Sequence, residues 1–148
     1  MTKETNEKIF KMMNALFIAG IVVASIFVGY IHYPASKGTI TDKSFVAAEY
    51  EIKEETNFLF VGKVPISRNK DYIYEYPDSY ILTITEERLF NRKIKSNIYV
   101  TKATYNSVKI GDEYKFCTNT DTYMVPYKKY QYIEGTTPLP EIPYKSSD

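Results

Sequence analysis

Residues 12–31, MMNALFIAGIVVASIFVGYI, carry no charge, and only Asn14 and Ser25 are notably polar. At about 1.5 Å per residue, a helix over this run is about 30 Å long, the thickness of a bilayer's hydrocarbon core. A helix also satisfies its own backbone groups, which lipid cannot do. The run therefore predicts one membrane-spanning helix over residues 9–32, with a polar tail at 1–8, a linker at 33–37 and a domain on one side of the membrane.

Lysines ahead of an apolar run also suit a secretory signal, but three features favour an uncleaved signal anchor. The run exceeds the roughly 7–15 residues of a signal core. It ends in bulky Tyr30, Ile31, His32 and Tyr33, and its best small-residue motif, Val22-Val23-Ala24, lies inside it. No Cys follows to take a lipid. Tyr30 and Tyr33 fall where an interfacial aromatic belt belongs, with His32 as a headgroup-level polar neighbour. The N-terminal flank carries Lys3, Lys8, Lys11 and the α-amino group, against Lys37 and Lys43 on the other side. Positive-inside bias then predicts a cytoplasmic N-terminus and an extracytoplasmic domain. Gly20–Ala24 and Ser25–Gly29 have the small-xxx-small spacing of packed membrane helices, so Gly20, Ala24, Ser25 and Gly29 are candidates for helix packing. Gly20 and Ala24 lie almost opposite Ala15 and Ala19, however, which makes two partial faces of ordinary membrane-helix composition.

Beyond residue 32 the chain has 16 basic and 16 acidic side chains. A nucleic-acid binder would show a net basic surface, so no nucleic-acid partner is expected. Cys117 is alone and can form no intramolecular disulfide. With no Asn-x-Ser/Thr sequon either, the chain fits a bacterial or phage setting better than a eukaryotic secreted one. Cys117 ends an alternating run from Tyr114 and is expected to be half-buried on a strand.

Residues 45–53 alternate, with Val46, Ala48, Tyr50 and Ile52 on one face, and read as a strand with 39–44 as its earlier part. Glu54–Asn57 reads as a polar turn and Phe58–Val61 as a short apolar strand. Gly62-Lys63 follows, then Val64-Pro65-Ile66, where Pro65 marks an edge or an end. Ser67–Asp71 reads as a charged loop. Tyr80–Thr85 is strongly β, rich in branched and aromatic residues. Glu86–Arg92 reads as a connection or one helical turn. Ile94–Thr101 is a half-buried strand, and Thr101–Ser107 one or two helical turns with Thr101 as N-cap. Gly111-Asp112 turns into a strand at Tyr114. The expected fold is mainly β: a small antiparallel β-barrel or sandwich of five to six strands over residues 38–117, OB- or SH3-like. Residues 118–148 read as a Tyr/Pro-rich arm, able to add one strand near Tyr123–Tyr132, and then an extended polyproline-like tail.

The segments Gly38–Lys43, Val61–Pro65, Pro77–Ile84, Ile98–Thr101 and Tyr105–Asp112 together resemble small uncharacterised, membrane-tethered proteins of phages and low-GC Gram-positive bacteria. The resemblance covers residues 38–117. Its matching residues are turn glycines and strand positions, so it implies architecture and an envelope location and no catalytic set.

Chemistry-bearing constellations are sparse. Glu86 and Glu87 are adjacent and on a strand would face opposite ways. Asp71, Glu75 and Asp78 lie beside Arg68 and Lys70 and match no calcium loop. The sequence has no triad, phosphate loop or metal set, so a non-enzyme without cofactors is expected. The tyrosines are the remaining lead. Tyr72, Tyr74, Tyr76 and Tyr80 fall within nine residues, and Tyr supplies the rigid amphipathic area common at interfaces. As a contact surface, Tyr72, Tyr74 and Tyr76 would point outward on an edge strand beside Pro77; as barrel wall they would be half-buried. The expected function is a bitopic envelope protein that presents a β domain to an envelope protein or wall polymer, as in phage modification of a host envelope. The alternatives are a subunit of a membrane assembly, self-associating as a homo-oligomer, and an oligonucleotide-binding barrel.

Overall fold

A computed structural model describes residues 3–146. Helix α1 spans Lys3–His32, and its apolar part from Thr5 is long and apolar enough to cross a membrane. Strands β1 (Lys37–Val46), β2 (Glu49–Val61), β3 (Val64–Tyr76) and β4 (Ser79–Arg88) follow, then a single 3₁₀ turn at Leu89–Asn91. Strand β5 (Arg92–Val100), helix α2 (Lys102–Ser107), β6 (Glu113–Lys115) and β7 (Lys128–Gln131) complete the order. The chain divides into two compact units: α1 with Arg88–Arg92, and a β unit of Ala35–Glu87 with the chain from Lys93.

Among the described residues the β unit is mainly antiparallel, with seven strands in two sheets ordered β5-β4-β1-β6 and β2-β3-β7. This bears out the mainly β reading: six strands lie between Lys37 and Lys115, the upper end of the expected count, and β7 lies in the arm beyond. The core lies against the first sheet. Ile40, Leu82, Ile84 and Ile98 are fully enclosed with Ala35 and Val100, and Tyr80, Ile94, Tyr105, Val108, Tyr114, Phe116 and Tyr123 pack around them. Burying one such Ile or Leu contributes roughly 1.5–3 kcal/mol. Gly38 allows β1 to run close to β4: a Cβ there would lie 2.2 Å from the Thr85 carbonyl oxygen. Just beyond it, a β-bulge shifts the register between Ile40 and Asp42, and Thr41 Oγ1 donates to the Thr83 carbonyl at 3.2 Å.

One strand pairing runs through both sheets. Val46 faces Ser79 at the end of the β1–β4 ladder, and Glu49 faces Tyr76 at the start of the β2–β3 ladder. The register is unchanged across the gap, so β1–β2 and β3–β4 are the two arms of one long hairpin. Its arms part at Ala47-Ala48 and Pro77-Asp78. Pro77 has no N–H to donate, and the Asp78 carboxylate takes the Ala48 N–H at 2.8 Å. The lost ladder bond is replaced by a side chain, and each arm passes from one sheet to the other at a bend. The clean alternation of 45–53, read as one strand, is therefore cut in two.

Two further expectations are corrected. Glu54–Asn57 and Ser67–Asp71, read as turn and loop, are opposed stretches of one ladder, with Glu55 facing Lys70 and Thr56 facing Asn69. Their polar side chains bond across it: Thr56 to Asn69 at 2.9 Å and Asn69 to Glu54 at 2.7 Å. Residues 118–146, read as an arm and an extended tail, belong to the β unit. As expected, they add one strand, β7, and they also seat the tail on β2, where the Tyr50 N–H donates to the Pro143 carbonyl and the Lys145 N–H to the Tyr50 carbonyl.

Local signals elsewhere act as read. The Thr101 side chain accepts the Thr104 N–H and caps α2. At the other end of α2, Lys43 Nζ donates to the carbonyls of Tyr105 and Val108 and lies 4.3 Å from the Tyr105 ring centre. A cation there satisfies carbonyls that a helix end leaves unpaired.

Candidate interaction surfaces

Tyr72, Tyr74 and Tyr76 share one face of β3, but β3 lies between β2 and β7 and is not an edge. They take the half-buried placement and not the outward edge that a contact surface would need. The tail forms the outer strand here because Lys128–Gln131 pair with Tyr72–Glu75. The three rings are half-buried in a cluster with acids from β2 and Lys129. The Tyr74 hydroxyl donates to Glu55, and Lys129 Nζ contacts both Glu55 oxygens at 2.7 Å. Those bonds, Lys129's first, hold Glu55 below its ordinary carboxyl value. Lys129 Nζ also lies 4.4 Å from the Tyr72 ring centre, within cation–π range. Tyr127 packs on Tyr74 and Tyr76 at 5.5 and 6.2 Å between centroids.

The Tyr76 hydroxyl donates to Glu51, and Lys53 Nζ lies 2.6 Å from the same carboxylate. Burial works to raise Glu51, but the Lys53 and Tyr76 hydrogen bonds outweigh it and leave the carboxyl below its ordinary value. Burial first, and then the Glu51 bond, push Tyr76 up to about 12. Glu51, Lys53 and Tyr76 border a groove of about 510 Å³ with Ser79, Ile81 and Tyr99. Tyr80 lies apart, on β4, packed between Phe45 and Tyr105 at 5.2 and 5.4 Å.

The outer end of the β2–β3 hairpin has a different character. Gly62, with φ +67, makes the two-residue turn with Lys63 that brings Val61 opposite Val64. Every residue from Thr56 to Asn69 is exposed. The register puts Leu59, Val61, Val64 and Ile66 on one face, and Phe58, Phe60 and Pro65 on the other. The hairpin end is therefore apolar on both faces, and Phe60 is 73% exposed. Sequence reading found the turn and the apolar run but not the exposure. The usable signal was the absence of alternation: Phe-Leu-Phe-Val and Val-Pro-Ile flank a two-residue turn with nothing polar on either face.

On α1, Ala24, Ser25 and Gly29 line one shallow apolar depression with Ile21 and Val28, and Gly20 lies outside it. The Ser25 hydroxyl donates to its own helix, to the Ile21 carbonyl at 2.8 Å. Cys117, expected half-buried, is exposed just past β6. The buried group beside it is Asp121, whose carboxylate accepts from the Tyr114 hydroxyl (2.7 Å), the Cys117 N–H (2.8 Å) and the Thr120 hydroxyl (3.0 Å). Burial and then the Asp121 bond raise Tyr114. Asp71, Glu75 and Asp78 do not converge: Asp71 faces Glu54 on the ladder, Glu75 lies near the Tyr130 hydroxyl, and Asp78 holds Ala48. Among the described residues no group of three or more His, Cys, Asp or Glu is placed to hold a metal ion.

Fold and surfaces together define a class: a β protein preceded by one helix of membrane-spanning length, with an exposed apolar hairpin. Compared with protein-family models, curated proteins and solved structures, the chain matches none.

Proposed function

We propose that this is a non-enzymatic bitopic envelope protein whose hairpin end, Phe58 to Ile66, docks on a partner protein outside the membrane. The observation that carries this reading is the contiguous apolar surface on both faces of that hairpin. Single soluble domains rarely expose such patches, and those that do use them for contact. The excess of lysines before α1 supports a cytoplasmic N-terminus and an extracytoplasmic β unit. The resemblance to membrane-tethered phage and Gram-positive proteins supports an envelope location.

A photo-crosslinking phenylalanine analogue at Phe60, in the full chain expressed in a bacterial host, tests it. A discrete adduct with one envelope protein, absent when the probe sits at exposed Lys102, is expected. Equal labelling from both positions would remove the hairpin as a docking element. A second reading, a subunit of a membrane assembly, is favoured by the Ala24–Ser25–Gly29 depression on α1, where another helix could approach closely. In that case the adduct would contain a second copy of this chain.

A further inference from the structure

The connection between β4 and β5 contains an apolar pair, Leu89-Phe90, bracketed by Arg88 and Arg92. It forms one compact unit with α1. The Arg88 guanidinium donates to the carbonyls of Tyr30, Tyr33 (2.8 Å) and Pro34 (3.2 Å). These lie at the end of α1, where a helix leaves its last carbonyls unpaired. The same guanidinium lies over the Tyr30 ring, 5.2 Å from its centre. Two residues further on, Phe90 packs edge-on against Phe27, with 6.3 Å between ring centres.

Phe27 sets the depth of this contact. It lies five residues before His32, the end of α1, so it sits about 7–8 Å inside the helix end at about 1.5 Å per residue. Amphipathic segments that lie in a membrane surface bury their apolar side to about 5–10 Å. Phe90 is 85% exposed and Leu89 60% exposed. Phe90 and Asn91 also have left-handed backbone, with φ 63 and 54, which is uncommon for a bulky aromatic residue. Facing water, that conformation would display two large apolar side chains for no gain. Beside a membrane helix it continues the helix's lipid-facing surface, and a long basic side chain such as that of Arg92 can extend from there toward lipid phosphates.

We propose that the Leu89-Phe90 loop is a second membrane contact, inserted among lipid acyl chains at the boundary where α1 leaves the bilayer, with Arg88 as the residue that positions it. This rests on the reading of α1 as membrane-spanning. Arg88 is suited to the role because its planar fork can engage several carbonyls at once while its face stacks on Tyr30. The backbone of so short a loop stays near the headgroups, where its polar groups can still find water, and only the two side chains go deeper.

The chain contains no Trp, so a single introduced Trp reports its surroundings without background. The full chain carrying F90W is reconstituted in phosphatidylcholine vesicles, with and without lipids brominated high on the acyl chain. A second protein carries F27W instead. The expected result is blue-shifted emission from both, loss of intensity with brominated lipid, and protection from aqueous iodide. L89W provides a second loop probe should F90W disturb the turn. With F90W in place, Arg88→Ala should reduce the brominated-lipid quenching and admit iodide; unchanged quenching would remove Arg88 from the positioning role. If F27W is quenched by lipid while both loop probes emit as in water and are quenched by iodide, the loop insertion is overturned and the spanning helix stands. If F27W is not quenched by lipid, the spanning reading fails and the inference falls with it.

Discussion

On β4, Leu82 and Ile84 are buried on one face of the strand and Ser79 and Ile81 on the other. On the hairpin from Thr56 to Asn69, nothing is buried on either face. Both stretches are rich in large apolar residues, and both belong to the same continuous strand pairing. They differ in what lies over them. The first sheet has the helical insert, the Phe116–Tyr123 stack and the buried Asp121 staple packed around its core, whereas the hairpin projects past its last support at β7. An isolated two-stranded ribbon is marginally stable in water, so the outer hairpin depends on its base. The comparison separates a stability region from a contact region within one hairpin.

The sharpest way to break that comparison is to empty the core. Leu82→Ala should destabilise the β unit by roughly 2–5 kcal/mol, read as a lower melting temperature of the full chain in detergent by near-ultraviolet circular dichroism. A tolerant response would mean the first sheet is not the stability region. Gly38→Ala comes next, because its methyl would meet the backbone of Thr85 and not a flexible side chain. Overpacking of this kind costs roughly 1–3 kcal/mol, occasionally more. An unchanged melt would show that β1 and β4 can separate without penalty.

The tyrosine cluster at the hairpin base should respond to alkali. Tyr76 is raised in the folded chain to about 12 from an ordinary value of 10.0, so the folded state holds its proton more tightly than the unfolded state. Its contribution is therefore complete below about pH 10 and lost as pH rises through about 12. Solvent screening reduces the effect to about 1 kcal/mol. Tyr76→Phe should flatten this part of the stability–pH curve; an identical alkaline slope in the variant would assign it to other groups. The smallest expected effect is Phe58→Ser at the hairpin end, on the same face as the crosslinking probe at Phe60. An exposed change there should alter stability by no more than about 0.5 kcal/mol while abolishing the partner adduct. A large loss of stability would instead make the hairpin end part of the packed structure.

Several elements were legible because their signals are local. The Thr101 cap, the Gly62-Lys63 turn and the branched run of β4 each act within a few residues. The polar stretches Glu54–Asn57 and Ser67–Asp71 were not legible as strand, because neither looks like one alone. Each becomes strand by pairing with the other, Asn69 bonding to both Thr56 and Glu54. Tyr72, Tyr74 and Tyr76 were legible as a shared face but not as a central strand, since β7 comes from a segment more than fifty residues further along. Arg88 and Phe90 looked like ordinary loop residues until the end of α1 was placed beside them.

By itself the sequence determined that one helix is long and apolar enough to cross a membrane, and that the rest is mainly β, because helix length, hydropathy and alternation are properties of neighbouring residues. Tertiary structure alone decided where the hairpin divides between two sheets and that Leu82 is enclosed while Phe60 is exposed. Burial is set by whatever covers a residue from elsewhere in the chain, and two apolar runs of equal hydrophobicity carry no local mark of which will be covered.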